Sequence, residues 1–595
     1  VSIYSSLGLP STRTSSMHET QTKSPPLKVG QILTGKVKEI YPNQKALIQL
    51  GDRQVVAQLK TALNLNDNYW FQVQSTDQLV HLKVLLDQPG KQSLEQQAAN
   101  LLKQLQLPLT KENIQFVQKL IQSNIPFNPN SLSEALSLTQ GDTKDSRAFL
   151  LNMMAKQLPI TSTIYQSLMH AENNTLQQQL NHVYQQLQTN SQGAVDYKTL
   201  LSRLEGMFFE MNSNNEKIPV LQTIKQQLNQ KDQVMLQVMK HAGLVSNQQT
   251  MTQIEGINNQ LQSVVAQHGE SYVSKTLGEL FSKQLGLTDQ QLSQFQKLVK
   301  ALVSTNQTNE SMVKANQQLQ AFLDNHHLSA RLTSLFPENQ RTDFSNWRMS
   351  PTQDNTASIL TMLRSIADQQ LPNQMMNKLL ELLTVTKDTG LNTKDQFLLQ
   401  MKHFLNFSGI LDENQILKND ATELRQNFSL KQLLVQAMQT SITTGDLEKL
   451  VHTLNGIQIS SVQEDGAFIQ ASIQLPGFFG TDKNIIINMD SKKNQKNQID
   501  PNYCHIVFYL SLEKIGDTCI DMSIINRKIN MTIYNEYEEI IPLLNQLEPT
   551  LQKGLESKEY QLLSIKFKPM SEEVEQQLLE TKHYQVSSVG VDFRV

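Results

Sequence analysis

The hydrophobic period of this chain changes twice. Between Leu27 and Leu86 apolar residues alternate with polar ones; from Ser93 to about Asn455 they recur every three or four positions; after Gly456 they alternate again. Alternation is the signature of a half-buried strand, and the longer period that of an amphipathic helix. No single core serves both ends and the middle, and 595 residues is more than one core sustains. The pattern predicts a multidomain α+β protein. A Ser/Thr/Pro-rich N-terminus over 1–27 is expected to lack order. A small β-barrel follows over 28–88, then a large all-α helical-hairpin middle over 92–455. A C-terminal α/β domain over 456–595 is expected to be a mostly antiparallel sheet with one main helix.

The barrel segment turns on a regular beat. Ile32–Ile40 ends at Pro42-Asn43, Ala46–Leu50 ends at Gly51-Asp52, Val55–Leu59 gives way to an Asn/Asp loop, and Tyr69–Gln74 and Leu79–Leu85 complete five short runs. Five such strands read as a small antiparallel barrel. Barrels of this size often bind oligonucleotides. Here Tyr69, Trp70 and Phe71 are consecutive, so they point to alternate faces and make no shared stacking platform. A structural or docking module is the expected role.

The helical middle is punctuated by a recurring junction: Leu107-Pro108-Leu109-Thr110, Ile125-Pro126-Phe127-Asn128, Leu158-Pro159-Ile160-Thr161. Proline ends one helix, because it lacks an N–H and disfavours helix in the residue before it. The Thr or Asn caps the next, and the apolar residue between can staple onto it. Leu101–Ile121 echoes Leu280–Val299, hinting at two halves, 92–270 and 272–455. The Gln/Asn-rich stretches Asn173–Gln192 and Asn306–Gln320 are expected as long exposed helices, and Thr342–Asn355 as a loop. Three further strands are expected at Ile457–Val462, Phe468–Leu475 and Ile485–Met489, and a solvated basic loop at Ser491–Gln498.

Composition excludes several roles. Charged residues make up 18% and the net charge is -3, which argues against nucleic-acid binding through phosphate neutralisation and against a polybasic membrane-surface protein. No apolar run is long enough to span a bilayer, and the first residues lack a secretory pattern. Two cysteines fit a reducing, cytoplasmic setting. In a hairpin turning near Gly516, Cys504 falls opposite about Arg527 and Cys519 opposite Tyr509–Ser511. Several residues at about 3.3 Å each then separate the thiols, against the roughly 7 Å between Cα atoms that a disulfide tolerates. Both are expected as small core-facing residues.

Motifs of catalysis and cofactor binding do not occur: no phosphate-binding GxxxxGK[ST] loop, no strand-linked GxGxxG, no HExxH. His326-His327 has no further ligand at metal spacing, and adjacent helical residues do not face one site. Cys504 and His505 are neighbours on a strand and point apart. Ser511-Leu-Glu-Lys514 matches the S-x-x-K string of acyl transferases, but runs from a strand into a turn rather than along a helix. The expectation is a protein that is not an enzyme and needs no cofactor or metal.

Within the C-terminal domain, "FYLSLEKIGDTCIDMSIINRKINMTI", a Leu-spaced segment Leu543–Leu555 and "YQLLSIKFK" follow in order. Pro542 suits the first turn of a helix, and Pro549 is expected to kink or split it. Tyr584–Val595 is expected as a last strand. This succession resembles the C-terminal domain of flagellar hook-length control proteins. Leu510 and Leu512 match the first strand, Ile515-Gly516 the turn, Ile520–Ile524 and Ile529–Ile533 the next strands, Leu543–Leu555 the helix and Tyr560–Phe567 the closing strand. With the barrel in front and "VGVDFRV" at the end, the chain is still more similar to an uncharacterised Firmicute family of hook-length-control-like proteins. Folded helices stand where hook-length proteins carry a Pro-rich ruler, and the proline that usually precedes the turn is absent. The resemblance implies a cytoplasmic binding protein of flagellar-type (type III) secretion. Its C-terminal domain would engage the cytoplasmic tail of an export-gate switch protein, or a stand-alone relative of that tail, through Leu510, Leu512, Ile515, Gly516 and Asp517. Such a protein could itself be exported through the apparatus. The competing expectations are a cytoplasmic helical scaffold unrelated to flagella, with Leu510 and Leu512 as core, and a nucleic-acid binder acting through the barrel.

Overall fold

The computed structural model describes residues 27–571 except 43, 52, 60, 62, 77–79, 87–92, 140–143, 174, 190–194, 208–218, 304–308, 387, 412–427, 441–444, 466–467, 478–482, 495–497 and 557. The lack of order expected at the N-terminus falls on 1–26, and that segment and the strand expected at 584–595 lie outside these residues. The chain has an N-terminal closed five-stranded barrel, a long helical middle and a C-terminal sheet domain with a helix. Among the described residues it divides into two compact units, 27–173 with 464, 465 and 468, and 175–463 with 469–571.

In the first unit, β1 (Ile32–Tyr41), β2 (Lys45–Leu50), β3 (Arg53–Leu59), β4 (Asn68–Ser75) and β5 (Val80–Leu86) close in the order β1-β2-β3-β5-β4. The barrel expected as antiparallel contains one parallel pair, β3 with β5. The β4–β5 hairpin crosses over to reach β3, because β1 already holds both β2 and β4. Val37, Ile48, Ala57 and Phe71 are fully buried inside. Gly35 is required there: a Cβ would lie 2.5 Å from Leu50 Cδ2 and 2.7 Å from Ile48 Cγ2. Tyr69 and Phe71 point inward and Trp70 outward, where the Phe127 ring covers it at 6.0 Å between centroids. Ile32 and Phe127 exchange two backbone hydrogen bonds of 2.6 and 3.0 Å. All three aromatics are buried.

The helix junctions form as the sequence implies. Thr110 accepts from Asn113 N at 3.2 Å and Asn128 from Ser131 N at 2.7 Å, and Thr161 from Ile164 N at 3.3 Å. The residue two before each proline is left-handed: Gln106 (φ 56°), Asn124 (φ 51°) and Gln157 (φ 53°). Each lets the next N–H reach back to the preceding helix, as Leu107 N does to Leu102 O at 2.9 Å, closing a Schellman motif. Of the expected staples, Phe127 and Ile160 are buried but Leu109 is exposed.

In the second unit, the two Gln/Asn-rich stretches form helices Leu176–Thr189 and Asn309–Asn325. Contrary to expectation each buries one face, Leu180, Val183 and Leu187 in the first and Leu319, Phe322 and Leu323 in the second. The spaced leucines outweigh the polar composition. The loop expected at Thr342–Asn355 is mostly helix, Glu338–Met349. Phe344 and Trp347 lie three apart on its buried face, and Thr352 opens the next helix with a capping box to Asn355. The strand expected at Ile457–Val462 is instead the end of helix Gly445–Ser460, where Ile457 continues the buried stripe of Leu447, Leu450 and Leu454.

The sheet follows: β6 (Val462–Asp465), β7 (Phe468–Leu475), β8 (Ile485–Lys493), β9 (Ile499–Leu512), β10 (Gly516–Ile525), β11 (Lys528–Asn535) and β12 (Gln561–Pro569), in spatial order β12-β11-β10-β9-β8-β7-β6. β8 to β11 pair antiparallel; β11 and β12 pair in parallel through the crossover helix Ile541–Glu556. The loop expected from Ser491 begins only after Lys493, because Ser491 is buried and its hydroxyl meets Cys504 Sγ at 3.3 Å. Pro549 does not split the helix. It stands on the exposed side, where water can take the carbonyl that its missing N–H leaves free.

Candidate functional site

Strand register sorts the sheet into two unlike faces. Cys504, Ile506, Phe508, Leu510 and Leu512 of β9 lie opposite Ile524, Met522, Ile520, Thr518 and Gly516 of β10. The same face continues into Ile529, Met531 and Ile533 of β11 and into Ile565 and Phe567 of β12. It is apolar nearly throughout. The alternate residues make the more polar face, with His505, Asp517, Asp521, Ser523 and Thr532 beside the buried Val507 and Cys519.

Cys504 and Cys519 are buried free thiols on opposite faces. Cys519 pairs with Tyr509, within the expected range, but Cys504 pairs with Ile524 rather than a residue near Arg527, because the β9–β10 turn is tighter than expected. Burial, partly offset by the Ser491 hydroxyl, pushes the Cys504 thiol pKa up. His505 projects to the polar face, where Nε2 lies 2.6 Å from Asp521 Oδ1 and Nδ1 3.9 Å from Asp490 Oδ2. Hydrogen bonds to Asp490 and Asp521 raise its pKa to about 9 despite partial burial.

That geometry makes a pH prediction. A folded pKa above the free value gives stabilisation that is complete below about pH 6.5 and is lost as pH rises through about 9. The side chain is 39% exposed, so screening leaves on the order of 1 kcal/mol. Denaturant midpoints of the full chain should fall from pH 6 to pH 10, and His505→Asn should flatten that slope. An unchanged slope in the variant would refute the assignment.

The crossover helix covers the apolar face incompletely. Leu555 packs on Cys504, Ile524 and Ile529 at one end, and the β11 residues Ile529, Met531 and Ile533 are buried. Yet no residue of the helix is buried. Leu543 is 49% and Leu547 51% exposed, and Tyr537 just before the helix 52%. Ile506, Phe508, Leu510, Leu512, Ile520 and Met522 are only half-buried. Before that helix, the Tyr537 ring lies against Gly516 at the end of the sheet that carries the β9–β10 hairpin.

The residues singled out from the sequence collect at that end. Leu510 and Leu512 lie on the apolar face, opposite Thr518 and Gly516. Gly516 has φ +66°, and a Cβ there would stand 3.3 Å from the Tyr537 ring. Ile515 sits in the turn, half-buried. Asp517 departs from the group: it points to the polar face and pairs with Lys483 at 2.6 Å. Burial raises its pKa, but hydrogen bonds from Lys483 and Ser511 outweigh this and hold it below the usual range.

Sequence reasoning missed Asn535, fully buried at the end of β11. Its Nδ2 donates to Ile515 O (2.8 Å), Asp517 O (3.2 Å) and Thr518 Oγ1 (2.8 Å), and its Oδ1 accepts from Tyr537 N (2.8 Å). One side chain thus fixes the hairpin turn and the start of the crossover. The only sequence signal was a polar residue where the alternation of β11 calls for an apolar one.

The histidine pair has divided roles: His326 Nδ1 meets Gln291 Nε2 at 3.1 Å, and His327 faces Glu559 at 3.6 Å. Among the described residues no three His, Cys, Asp or Glu side chains are placed to hold a metal, and no helix is long and apolar enough to cross a membrane.

Fold and surface define a multidomain α+β protein ending in an amphipathic sheet with a half-open apolar side. No protein-family model matches the chain, and no solved structure matches it. The uncharacterized protein YlqG of Bacillus subtilis (strain 168) is 22% identical over 589 residues, covering 95% of this chain and 94% of that protein.

Proposed function

We propose that this chain is a non-enzymatic, cytoplasmic interaction protein whose C-terminal sheet grips another polypeptide. One observation carries the reading: Leu543 and Leu547 of the crossover helix are about half exposed, and Leu510 and Leu512 on the apolar sheet face are only half-buried. Aliphatic side chains left in water at the rim of a sheet suit an apolar helix or strand from a partner. The resemblance of Cys504–Pro569 to hook-length control proteins supplies the candidate, the cytoplasmic tail of an export-gate switch protein or its stand-alone relative. The barrel serves as a docking module rather than a nucleic-acid platform, supported by the burial of Tyr69, Trp70 and Phe71.

The test is calorimetric titration of the full chain with a purified switch-protein cytoplasmic tail. Binding is expected, and Leu543→Asp with Leu547→Asp should weaken it about 100-fold, equivalent to about 2.7 kcal/mol. The melting temperature should stay within about 2 °C, since both side chains are already in water. Absence of binding by the unaltered chain, together with normal hook length and motility after deletion in a flagellated host, would remove the flagellar reading.

A further inference from the structure

The half-exposed leucines of the crossover helix form one row. Leu543 and Leu547 stand one turn apart, and Gly554 follows two turns further along the same side. A Cβ on Gly554 would meet nothing within 4 Å among the described residues, so that end of the row is open too. Leu544, Leu551 and Leu555 make a second row, and these are the half-buried ones. The exposed row is therefore not what holds the helix to its own domain.

The residues that lead into the helix are acidic. Glu536, Glu538 and Glu539 are all exposed. Glu539 belongs to the short turn Glu538–Ile540 that runs into the helix, four residues before Leu543, and so extends the leucine row by one turn. Glu513, also exposed, joins them from the β9–β10 turn, which Asn535 holds through Ile515 O at 2.8 Å and which the Tyr537 ring meets at Gly516. Among the described residues none of these four carboxylates makes an ion pair or a side-chain hydrogen bond. Asp517, by contrast, already has Lys483. Across 512–516 and 535–556 six glutamates stand against two lysines, Lys514 and Lys553, in a chain whose cations and anions nearly balance at 52 and 55.

Glu538 and Glu539 suit the positive end of the helix they precede. Glu513 and Glu536 lie outside it, and crowded like charges weaken a fold rather than support it. We infer that the partner of this surface is a basic amphipathic helix, laid along Leu543 and Leu547 with its lysines or arginines toward Glu539, Glu536 and Glu513. This rests on the reading of the C-terminal surface proposed above and adds the chemistry of what it grips. A strand would need free backbone groups to pair with, and the crossover helix has spent its own internally. Two leucines at a spacing of four instead receive the apolar stripe of a second helix. The carboxylates beside them orient that helix and reject acidic ones.

Fluorescence titration of the full chain with two synthetic amphipathic helices tests this. Both carry the same leucine stripe; one is flanked by lysines, the other by glutamates. The lysine peptide should bind saturably, at least about tenfold tighter than the glutamate peptide, and should weaken as salt is added. Glu536→Gln with Glu539→Gln should weaken it about fivefold to tenfold, the worth of two exposed ion pairs. Leu543→Ser with Leu547→Ser, which leaves the charge unchanged, should weaken it at least as much. Unchanged melting temperatures certify that the variants fold, since every altered side chain is already in water. Equal binding of the two peptides overturns the inference. So does a switch-protein tail whose binding depends on the two leucines but not on the glutamates, and that result leaves the wider reading standing. Lysine-peptide binding that ignores the leucine substitutions is adsorption by charge alone and overturns the inference as well. If neither the peptides nor the tail bind, inference and reading fall together.

Discussion

Replacing Trp347 by alanine should destabilise the helical part of the second unit by about 3–5 kcal/mol. The indole is fully buried. It stacks on Phe344 at 5.6 Å, and Phe344 on Phe336 at 4.6 Å. Its Nε1–H donates to Asn316 Oδ1 at 2.7 Å. Asn316 is itself 1% exposed and donates to Met312 O at 3.0 Å, so the network lies deep in the cluster that spans Leu285 to Ala367. Alanine would open a cavity and strip Asn316 Oδ1 of its closest donor, adding a desolvation penalty to the lost packing. Phenylalanine would refill much of the space but not the hydrogen bond, and should cost about half as much. Chemical denaturation followed by helical circular dichroism measures both. A loss under 1 kcal/mol for Trp347→Ala would mean that the aromatic stack is not what holds these helices.

The second large effect is expected from Asn535→Ala, about 2–4 kcal/mol. Removing the amide leaves Ile515 O, Asp517 O and Tyr537 N without the partner each has now. The cost comes less from the bonds themselves than from buried groups left unpaired. Asn535→Asp separates the two contributions: it keeps an acceptor for Tyr537 N but turns a donor toward two carbonyls into a second acceptor, and should be as damaging as alanine. If the hairpin grips a partner, either variant should weaken that binding out of proportion to Leu510→Ala, because it loosens the turn that holds Leu512 and Gly516 in register. Hydrogen exchange of the β9–β10 amides would show the loosening directly; unchanged protection in Asn535→Ala would contradict it.

How much of this was legible varied with the distance over which the physics acts. β7 was read at its true limits, Phe468–Leu475, because a strand's period and its flanking turns are local. The caps at Thr110, Asn128 and Thr161 were legible for the same reason. Helix Glu338–Met349 was misread as a loop, since its polar composition hid the one pair, Phe344 and Trp347, that anchors it. Ile457 was misread as strand because a short apolar run fits either period. At the candidate surface the hairpin residues Leu510 and Leu512 were named from the sequence, while Asn535 and the exposure of Leu543 and Leu547 were not. A leucine stripe looks the same whether its partner is present or missing.

The sequence by itself determined the alternation of strand and helix, the two-sidedness of each element and the places where helices stop, because dihedral preference and hydrophobic period are properties of neighbours along the chain. Only the tertiary structure decided which apolar stripes are covered, that β3 and β5 run parallel, and that Asn535 reaches back to the β9–β10 turn. Burial and charge interaction depend on distances between residues far apart in the chain, and no local pattern encodes them.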